Sequence, residues 1–197
     1  RDLLLREVYH RVKNNLQVVD GLLLMRSRQL DDPAAKAAMD ELRKRIFALG
    51  LVHHQLMGSA DLKTFDIGAF LQDLISHLQV GAPDNVTLRV DVAPLTVDLD
   101  FAVPLGLLVT ELATNALKHA FPQRPGEISV TLGAAEAGEV VLRVADNGVG
   151  FPQDFKRRKT SGLSIVEGLV RQLGGRIEAI QTKGVRWEAR LPAPRTA

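Results

Sequence analysis

Glu111-Leu112-Ala113-Thr114-Asn115-Ala116-Leu117-Lys118-His119-Ala120, with Asp146-Asn147-Gly148-Val149-Gly150 some thirty residues further on, decides how this chain is read. Glu111, Asn115 and His119 recur at i, i+4 and i+8 on a segment otherwise made of Leu107, Leu108, Leu112, Ala116 and Leu117, so they form a slowly rotating polar ridge on an apolar helix. Residues 140–145 alternate at period two, so the second motif closes a strand. A helix carrying an acid and an amide one turn apart, beside a strand ending in Asp-x-Gly-x-Gly, suits a pocket for Mg²⁺ and a purine nucleotide.

Around these motifs the pattern alternates between helix and strand. Asp66 is placed to cap a helix running to about Gln79. Val86–Val92 and Leu95–Leu99 read as strands around the turn-forming Ala93-Pro94, and Phe101–Ala120 as a helix with Pro104 in its first turn. Ile128–Leu132 and Val140–Ala145 form a hairpin pattern. Gly162–Leu173 reads as a helix stopped by Gly174-Gly175, followed by strands Arg176–Gln181 and Val185–Leu191 and a loose tail from Pro192. Helices with mostly antiparallel strands in this order predict a two-layer α/β sandwich. Trp187, alternating with Val185 and Ala189, is expected to face the core.

Upstream the texture is purely helical. Leu5, Val8, Val12, Leu16, Val19 and Leu23 make the stripe of one amphipathic helix, Asp31-Asp32-Pro33 breaks it, and Met39, Leu42, Ile46, Leu49 and Val52 mark a second helix from Ala34 to about Met57. Two helices joined by a tight turn make an antiparallel hairpin, and a hairpin with a continuous apolar stripe needs a partner, most simply a second copy in a four-helix bundle. The fold class is therefore α+β, with a helical domain at 1–60 and the sandwich at 61–197. His10 falls roughly opposite the stripe, facing solvent with Asn14 and Gln17 one and two turns later. An exposed neutral imidazole is a usable nucleophile near pH 7, although a lone surface histidine is more often only solvated. His53 and His54 lack comparable context.

The chemistry of the second region follows from donor types. The Asn115 amide oxygen is a hard ligand able to complete an octahedral Mg²⁺ held otherwise by phosphate and water. Glu111 can hold a metal-bound water or accept a proton, and Lys118 or His119 can meet phosphate oxygens. The Asp146 carboxylate can accept a hydrogen bond from an exocyclic amine, the feature separating adenine from guanine. Gly148 and Gly150 permit close ligand approach. Read alone, the first motif is an ordinary polar helix face and the second a turn. Residues 147–161 form a loop of the length that is usually functional or disordered. Lys156-Arg157-Arg158-Lys159 within it either closes over triphosphate or is a solvated charge run. Thr160-Ser161-Gly162 opens a helix whose free N–H groups suit an anion.

The bulk numbers bound the alternatives. A length of 197 residues allows a helical module plus one compact domain, and 46% hydrophobic with 24% charged residues is ordinary for a globular chain. The absence of cysteine excludes disulfides, thiolate catalysis and cysteine-ligated zinc and fits a reducing cytoplasm. A formal charge of +2 gives no case for nucleic acid, and no apolar run reaches the roughly 18 residues that span a bilayer, so no membrane contact is expected. The chain begins at Arg1 in mid-pattern, so a further upstream region is expected.

Arg6-Glu7-Val8-Tyr9-His10-Arg11-Val12-Lys13-Asn14-Asn15-Leu16-Gln17-Val18-Val19 closely resembles the H-box of sensor histidine kinases, in the subfamily with His-Arg-x-x-Asn-Asn. Ala102-Val103-Pro104-Leu105-Gly106-Leu107, within Asp98–Pro122, is similar to the same subfamily, which is related to the HWE kinases. The motifs at 111–120, 146–150 and 160–162 resemble the N-box, aspartate-glycine box and second glycine box of the GHKL ATP-binding superfamily. The resemblance covers nearly the whole chain from Leu4 to Pro192. It implies that His10 is phosphorylated from ATP and passes the group to a response-regulator receiver domain. It further implies that Asn115 binds Mg²⁺, Asp146 binds adenine, and Gly148, Gly150 and Gly162, with Ser161 and Leu163, shape the nucleotide site. An upstream sensor and a homodimer through 1–60 are also implied. Asn14 would orient water on a bound aspartyl-phosphate, as in bifunctional members, which makes a regulator phosphatase or scaffold the alternative reading. Chaperone or topoisomerase activity is disfavoured, since the chain has no room for their extra domains. The chain departs from the pattern in four places. Arg11 stands where many relatives have an acid, Thr160-Ser161-Gly162 replaces Gly-x-Gly, and Gly184-Val185 replaces Gly-Thr. The Trp-x-Glu element of the related subgroup is absent from Val140-Val141-Leu142-Arg143.

Overall fold

The computed structural model describes residues 2–151 and 161–194. Helices α1 (Asp2–Arg28) and α2 (Pro33–Gly58) form the expected antiparallel hairpin. Asp32 makes the turn by capping α2: its carboxylate accepts the N–H groups of Ala34 and Ala35, each at 3.2 Å, with Pro33 supplying a first residue that has no N–H to satisfy. The hairpin is tied along its length by Arg43 to Asp20 at 2.8 and 3.2 Å, by Arg6 to the Met57 carbonyl at 3.1 Å, and by Tyr9, whose ring lies 5.7 Å from His53.

Asp61 organises the crossing into the second region. It accepts the N–H groups of Lys63 and Thr64 and the Thr64 hydroxyl, which pull its carboxyl down to about 2. Strand β1 (Thr64–Asp66) follows, then α3 (Ile67–Val80), capped as expected by Asp66 to the Gly68 N–H at 2.8 Å. Next come β2 (Val86–Val92), β3 (Thr96–Asp98), α4 (Leu99–His119), β4 (Gly126–Ala134), β5 (Glu139–Asp146), α5 (Ser161–Gln172), β6 (Arg176–Gln181) and β7 (Val185–Pro192).

Two details differ from the sequence expectation. The segments flanking Ala93-Pro94 do not pair with each other. Strand β2 runs parallel to β4 from Val86↔Gly126 to Val92↔Leu132, while β3 joins β1 in a separate two-stranded sheet. The Ala93 N–H still bonds to the Leu132 carbonyl at 2.9 Å, and Pro94, with no donor, ends that ladder. Helix α4 also begins two residues early because Asp98 caps it, accepting the Phe101 N–H at 3.0 Å. Pro104 therefore sits in the second turn rather than the first, deleting the bond to the Asp100 carbonyl near the exposed helix start.

The main sheet has the order β2-β4-β5-β7-β6, antiparallel except for β2 with β4. One face presents Ile128, Val130, Leu132, Val140, Leu142, Val144, Ala189 and Leu191 to Phe70, Leu71, Leu74, Leu105, Leu108, Leu112 and Val166 of the helices, all buried. Each of the larger side chains contributes roughly 1.5–3 kcal/mol. This is the expected two-layer sandwich. Helix α4 has the length and hydropathy of a bilayer span, but 67% of its most apolar window is buried in this core. Gly106 lets α3 and α4 close, since a Cβ there would lie 2.5 Å from the Phe70 ring. Helix α2 joins the same core through Ala48, Val52 and Leu56. Trp187 is half-buried on the helix side, edge-on to Phe151 at 6.0 Å. Helix α1 is less covered: Leu5, Val12, Leu16 and Leu23 are half-buried, whereas Val8 and Val19 stay 47% and 42% exposed.

Candidate active site

The C-terminal end of α4 and the loop after β5 are built against each other. The Val149 N–H bonds to the Ala120 carbonyl at 2.9 Å, and a Cβ at Gly148 would lie 2.2 Å from that same oxygen, so only glycine fits there. Asn147 ties the loop to β4 by accepting the Glu127 N–H at 2.8 Å. Gly150 has φ +80° and packs on Gln181, whose Oε1 accepts the Phe151 N–H at 3.0 Å. Half-buried Asp146 uses Oδ1 to accept the N–H groups of Gly148 at 2.9 Å and Val185 at 3.3 Å. Burial pushes its carboxyl above the usual range, and those two N–H groups partly offset the rise.

Asn115 faces the start of α5, with a Cβ at Gly162 falling 3.6 Å from its Oδ1. The structure therefore brings Asn115, Gly162, Gly148, Gly150 and Asp146 to one corner of the sandwich, with half-buried Leu163 on the first turn of α5. The expected ridge fans out. Glu111 is buried against α2, where its carboxylate takes the Arg45 Nε–H at 2.5 Å; Lys118 pairs with Glu41 of α2; His119 is exposed. Among the described residues no cluster of three or more His, Asp or Glu is placed to hold a metal. A cation here fits the Mg²⁺ pattern of one protein oxygen, from Asn115, with phosphate and water completing the shell. Lys156 to Thr160, and the expectation of a basic closing loop, lie outside the described residues, as does the Ser161 side chain.

His10 is exposed on α1, as expected, with exposed Asn14 and Gln17 following. Arg11 is ion-paired to Glu7 at 2.8 Å on the open surface. The other histidines differ. His53 is half-buried behind Tyr9, its Nδ1 buried without a partner, and burial lowers its basicity; His77 stacks on Phe47 at 3.4 Å and is lowered for the same reason. A groove of about 670 Å³ lies away from the Asn115 corner, between α1, α2 and the end of α3, lined by Leu16, Phe47, Leu51 and His77 among others. Sequence reading missed Glu41, Arg45 and Gln181. Glu41 and Arg45 share a helix face at i, i+4, but nothing local says what they meet.

Comparison with known proteins identifies the two regions separately. The family model described as "Histidine kinase" matches residues 7–81, and that described as "Histidine kinase-, DNA gyrase B-, and HSP90-like ATPase" matches residues 101–195. Sensor histidine kinase PdtaS of Mycobacterium tuberculosis is 34% identical over 175 residues, covering 86% of this chain and 35% of that protein. Blue-light-activated histidine kinase 2 of Erythrobacter litoralis is 30% identical over 184 residues, covering 89% and 53%. The chain thus spans about a third to a half of these curated relatives. The solved histidine kinase domain of a blue-light activated kinase from Erythrobacter litoralis superposes with a TM-score of 0.73 at 28% identity, covering 98% of this chain and 92% of that one. With the H-box hairpin, the GHKL sandwich and both family models in chain order, the protein belongs to the sensor histidine kinases of the HWE-related group.

Proposed function

We propose that this chain is the kinase core of a two-component system, in which residues 1–60 form the dimerisation and phosphoacceptor unit and residues 61–197 bind Mg-ATP and deliver the γ-phosphoryl group to His10. The observation that carries the reading is the corner where Asn115, Gly148, Gly162 and the Asp146 carboxylate converge. Asp146 selects adenine, its Oδ1 anchored by backbone and its second oxygen offered to the exocyclic amine. Asn115 supplies the protein oxygen to Mg²⁺, which neutralises phosphate charge when bound. The N-terminus of α5 at Ser161, Gly162 and Leu163 contributes N–H groups to phosphate, and Lys118 and His119 add cationic or donor groups. Glu111, once released from Arg45, would hold water beside the metal or accept a proton. Catalysis rests on positioning and charge neutralisation, and a receiver-domain aspartate of a cytoplasmic response regulator then takes the phosphoryl group from His10.

A second reading, regulator phosphatase or scaffold, is favoured by one contact: the acid nearest His10 in sequence, Glu7, is tied to Arg11, while Asn14 stands exposed one turn away to orient water. Incubation with γ-labelled ATP separates the two. Acid-labile, base-stable label on His10 supports the kinase; no label, with accelerated loss of phosphate from a phosphorylated regulator that Asn14→Ala slows, supports the alternative.

A further inference from the structure

We infer that Glu41 and Arg45 of α2 form a latch that holds Glu111 and Lys118 of α4 away from Mg-nucleotide, so that nucleotide engagement and release of the catalytic domain from the lower hairpin are one event. The inference rests on the assignment of ATP to the Asn115 corner.

Four side chains of alternating charge run in series across the α2–α4 interface. Lys118 meets Glu41, Glu41 lies 4.0 Å from Arg45, and Arg45 meets Glu111 at 2.5 Å. The Glu111 side chain is 9% exposed and Arg45 26%, so the inner pair is sheltered from water and its attraction is little screened. While Arg45 holds it, Glu111 can neither carry a metal-bound water nor take a proton. While Glu41 holds it, Lys118 cannot neutralise phosphate. Two groups of the candidate site are therefore engaged by the helix that packs beside His10.

The second observation is where this engagement sits. Tyr9 lies against His53, Arg6 bonds to Met57 and Asp20 to Arg43, so Arg45 and Glu41 stand level with about residues 18 and 22 of α1. At a rise of 1.5 Å per residue, the latched end of α4 is displaced along the hairpin by roughly 12–18 Å from His10. In-line transfer requires reacting atoms about 3–3.5 Å apart. A brace for the transferring arrangement would sit level with His10, and this one does not. Third, the Thr114 hydroxyl, three residues after Glu111 and four before Lys118, is buried without a hydrogen-bond partner. By helix periodicity Thr114 shares the face of α4 that carries Glu111 and Lys118, so the cost of its orphaned hydroxyl falls on the closed contact.

The test uses the whole chain, with a fluorescent ATP analogue plus Mg²⁺ to read affinity and γ-labelled ATP to read the initial rate at His10. Arg45→Gln is expected to tighten nucleotide binding and to raise the labelling rate, each by about tenfold, the scale of one charge-assisted hydrogen bond; Arg45→Lys, which keeps the charge, should stay near wild type. Affinity and rate unchanged in Arg45→Gln, or both reduced, overturn the latch while leaving the kinase reading in place. A wild-type chain that binds no nucleotide removes the kinase reading itself. Glu41→Gln, which releases Lys118 and leaves every residue of the candidate site in place, should raise nucleotide affinity and the labelling rate in the same direction. Affinity and rate unchanged or reduced in Glu41→Gln overturn the proposal, independently of how Arg45→Gln folds.

Discussion

The sandwich core is closed within one chain, with α2 contributing Ala48, Val52 and Leu56, whereas the outer flank of the hairpin is left open. In the sandwich, Leu71, Leu105, Leu108, Leu112, Ile128, Leu142 and Leu191 are essentially without solvent contact. On α1, a helix of 27 residues, Leu22 and Met25 are 60% and 62% exposed, and Leu4, Val8, Val18 and Val19 are exposed with them. A single chain therefore completes the nucleotide-binding unit and leaves the element that carries His10 with an unpartnered apolar flank, the condition of half of a helical bundle. On the proposed function the difference separates two jobs: a site that must hold shape is built on a closed core, and an acceptor that must be reached from outside is built on an element left to be finished by association.

The largest expected effect tests that separation directly. His10→Ala should abolish acid-labile labelling while ATP affinity by calorimetry stays at the wild-type value. Asp146→Asn should weaken ATP by about 10- to 100-fold, the loss of roughly 1.5–3 kcal/mol from a charged hydrogen bond, with the fold intact. If His10→Ala also removes ATP binding, the two regions are not chemically separable, and label on His53, His54 or His119 would move the acceptor elsewhere.

Stability should divide in the same way. Leu112→Ala, in the closed core, should cost about 2–5 kcal/mol in urea unfolding. Leu22→Asp should cost the monomer little, and instead shift sedimentation toward a smaller species. A Leu22→Asp chain that sediments like wild type would show that this flank is not where copies meet.

A smaller effect concerns pH. Burial raises the Asp146 carboxyl, and its anion is the proposed adenine acceptor, so nucleotide affinity should fall on acidification at a less acid pH than an ordinary aspartate would produce. The stability effect has the opposite sense: the folded state binds this proton more tightly than the unfolded one, so stability from this group rises as pH falls through the raised value toward the ordinary 3.8, and its cost is complete at neutral pH. Affinity flat down to the ordinary aspartate range would place Asp146 outside the contact. The smallest effect is at exposed Asp61. Its folded value of about 2 means that its contribution is present above the ordinary value of 3.8 and disappears as pH falls between the two, a change that Asp61→Ala should remove from the acid limb of a melting-temperature profile.

What could be read from the sequence followed how local the signal was. Asp66 announces a helix start because a cap acts over three residues, and it caps α3 as expected. Asp98 carries the same signal but lies inside the run Leu95–Leu99 that reads as a strand, so α4 starts two residues before the expected point and Pro104 falls a turn later in it. Thr64–Asp66 is too short to show a period, and its pairing with Thr96–Asp98 is visible only in three dimensions. The parallel register of β2 on β4 was equally hidden, since a lone alternating strand does not say which neighbour it takes. In the candidate site, Asn115, Asp146 and the glycines were legible because their spacing is itself the pattern. The Arg45–Glu111 pair spans 66 residues and joins two helices that each look complete without it. Gln181 gave no sign beyond ending a strand.

The turn between β6 and β7 has a consequence for how the chain can diverge. Gly184 lies so close to Asp146 that a Cβ would fall 2.3 Å from its carboxylate and its carbonyl oxygen, whereas residue 185 reaches the carboxylate through its main-chain N–H. A contact delivered by the backbone survives replacement of the side chain that carries it. Position 185 can thus carry valine where the family resemblance leads one to expect threonine, at no cost to the anchoring of Asp146. Position 184 has no such freedom, and its lineages should be confined to glycine for as long as they retain nucleotide.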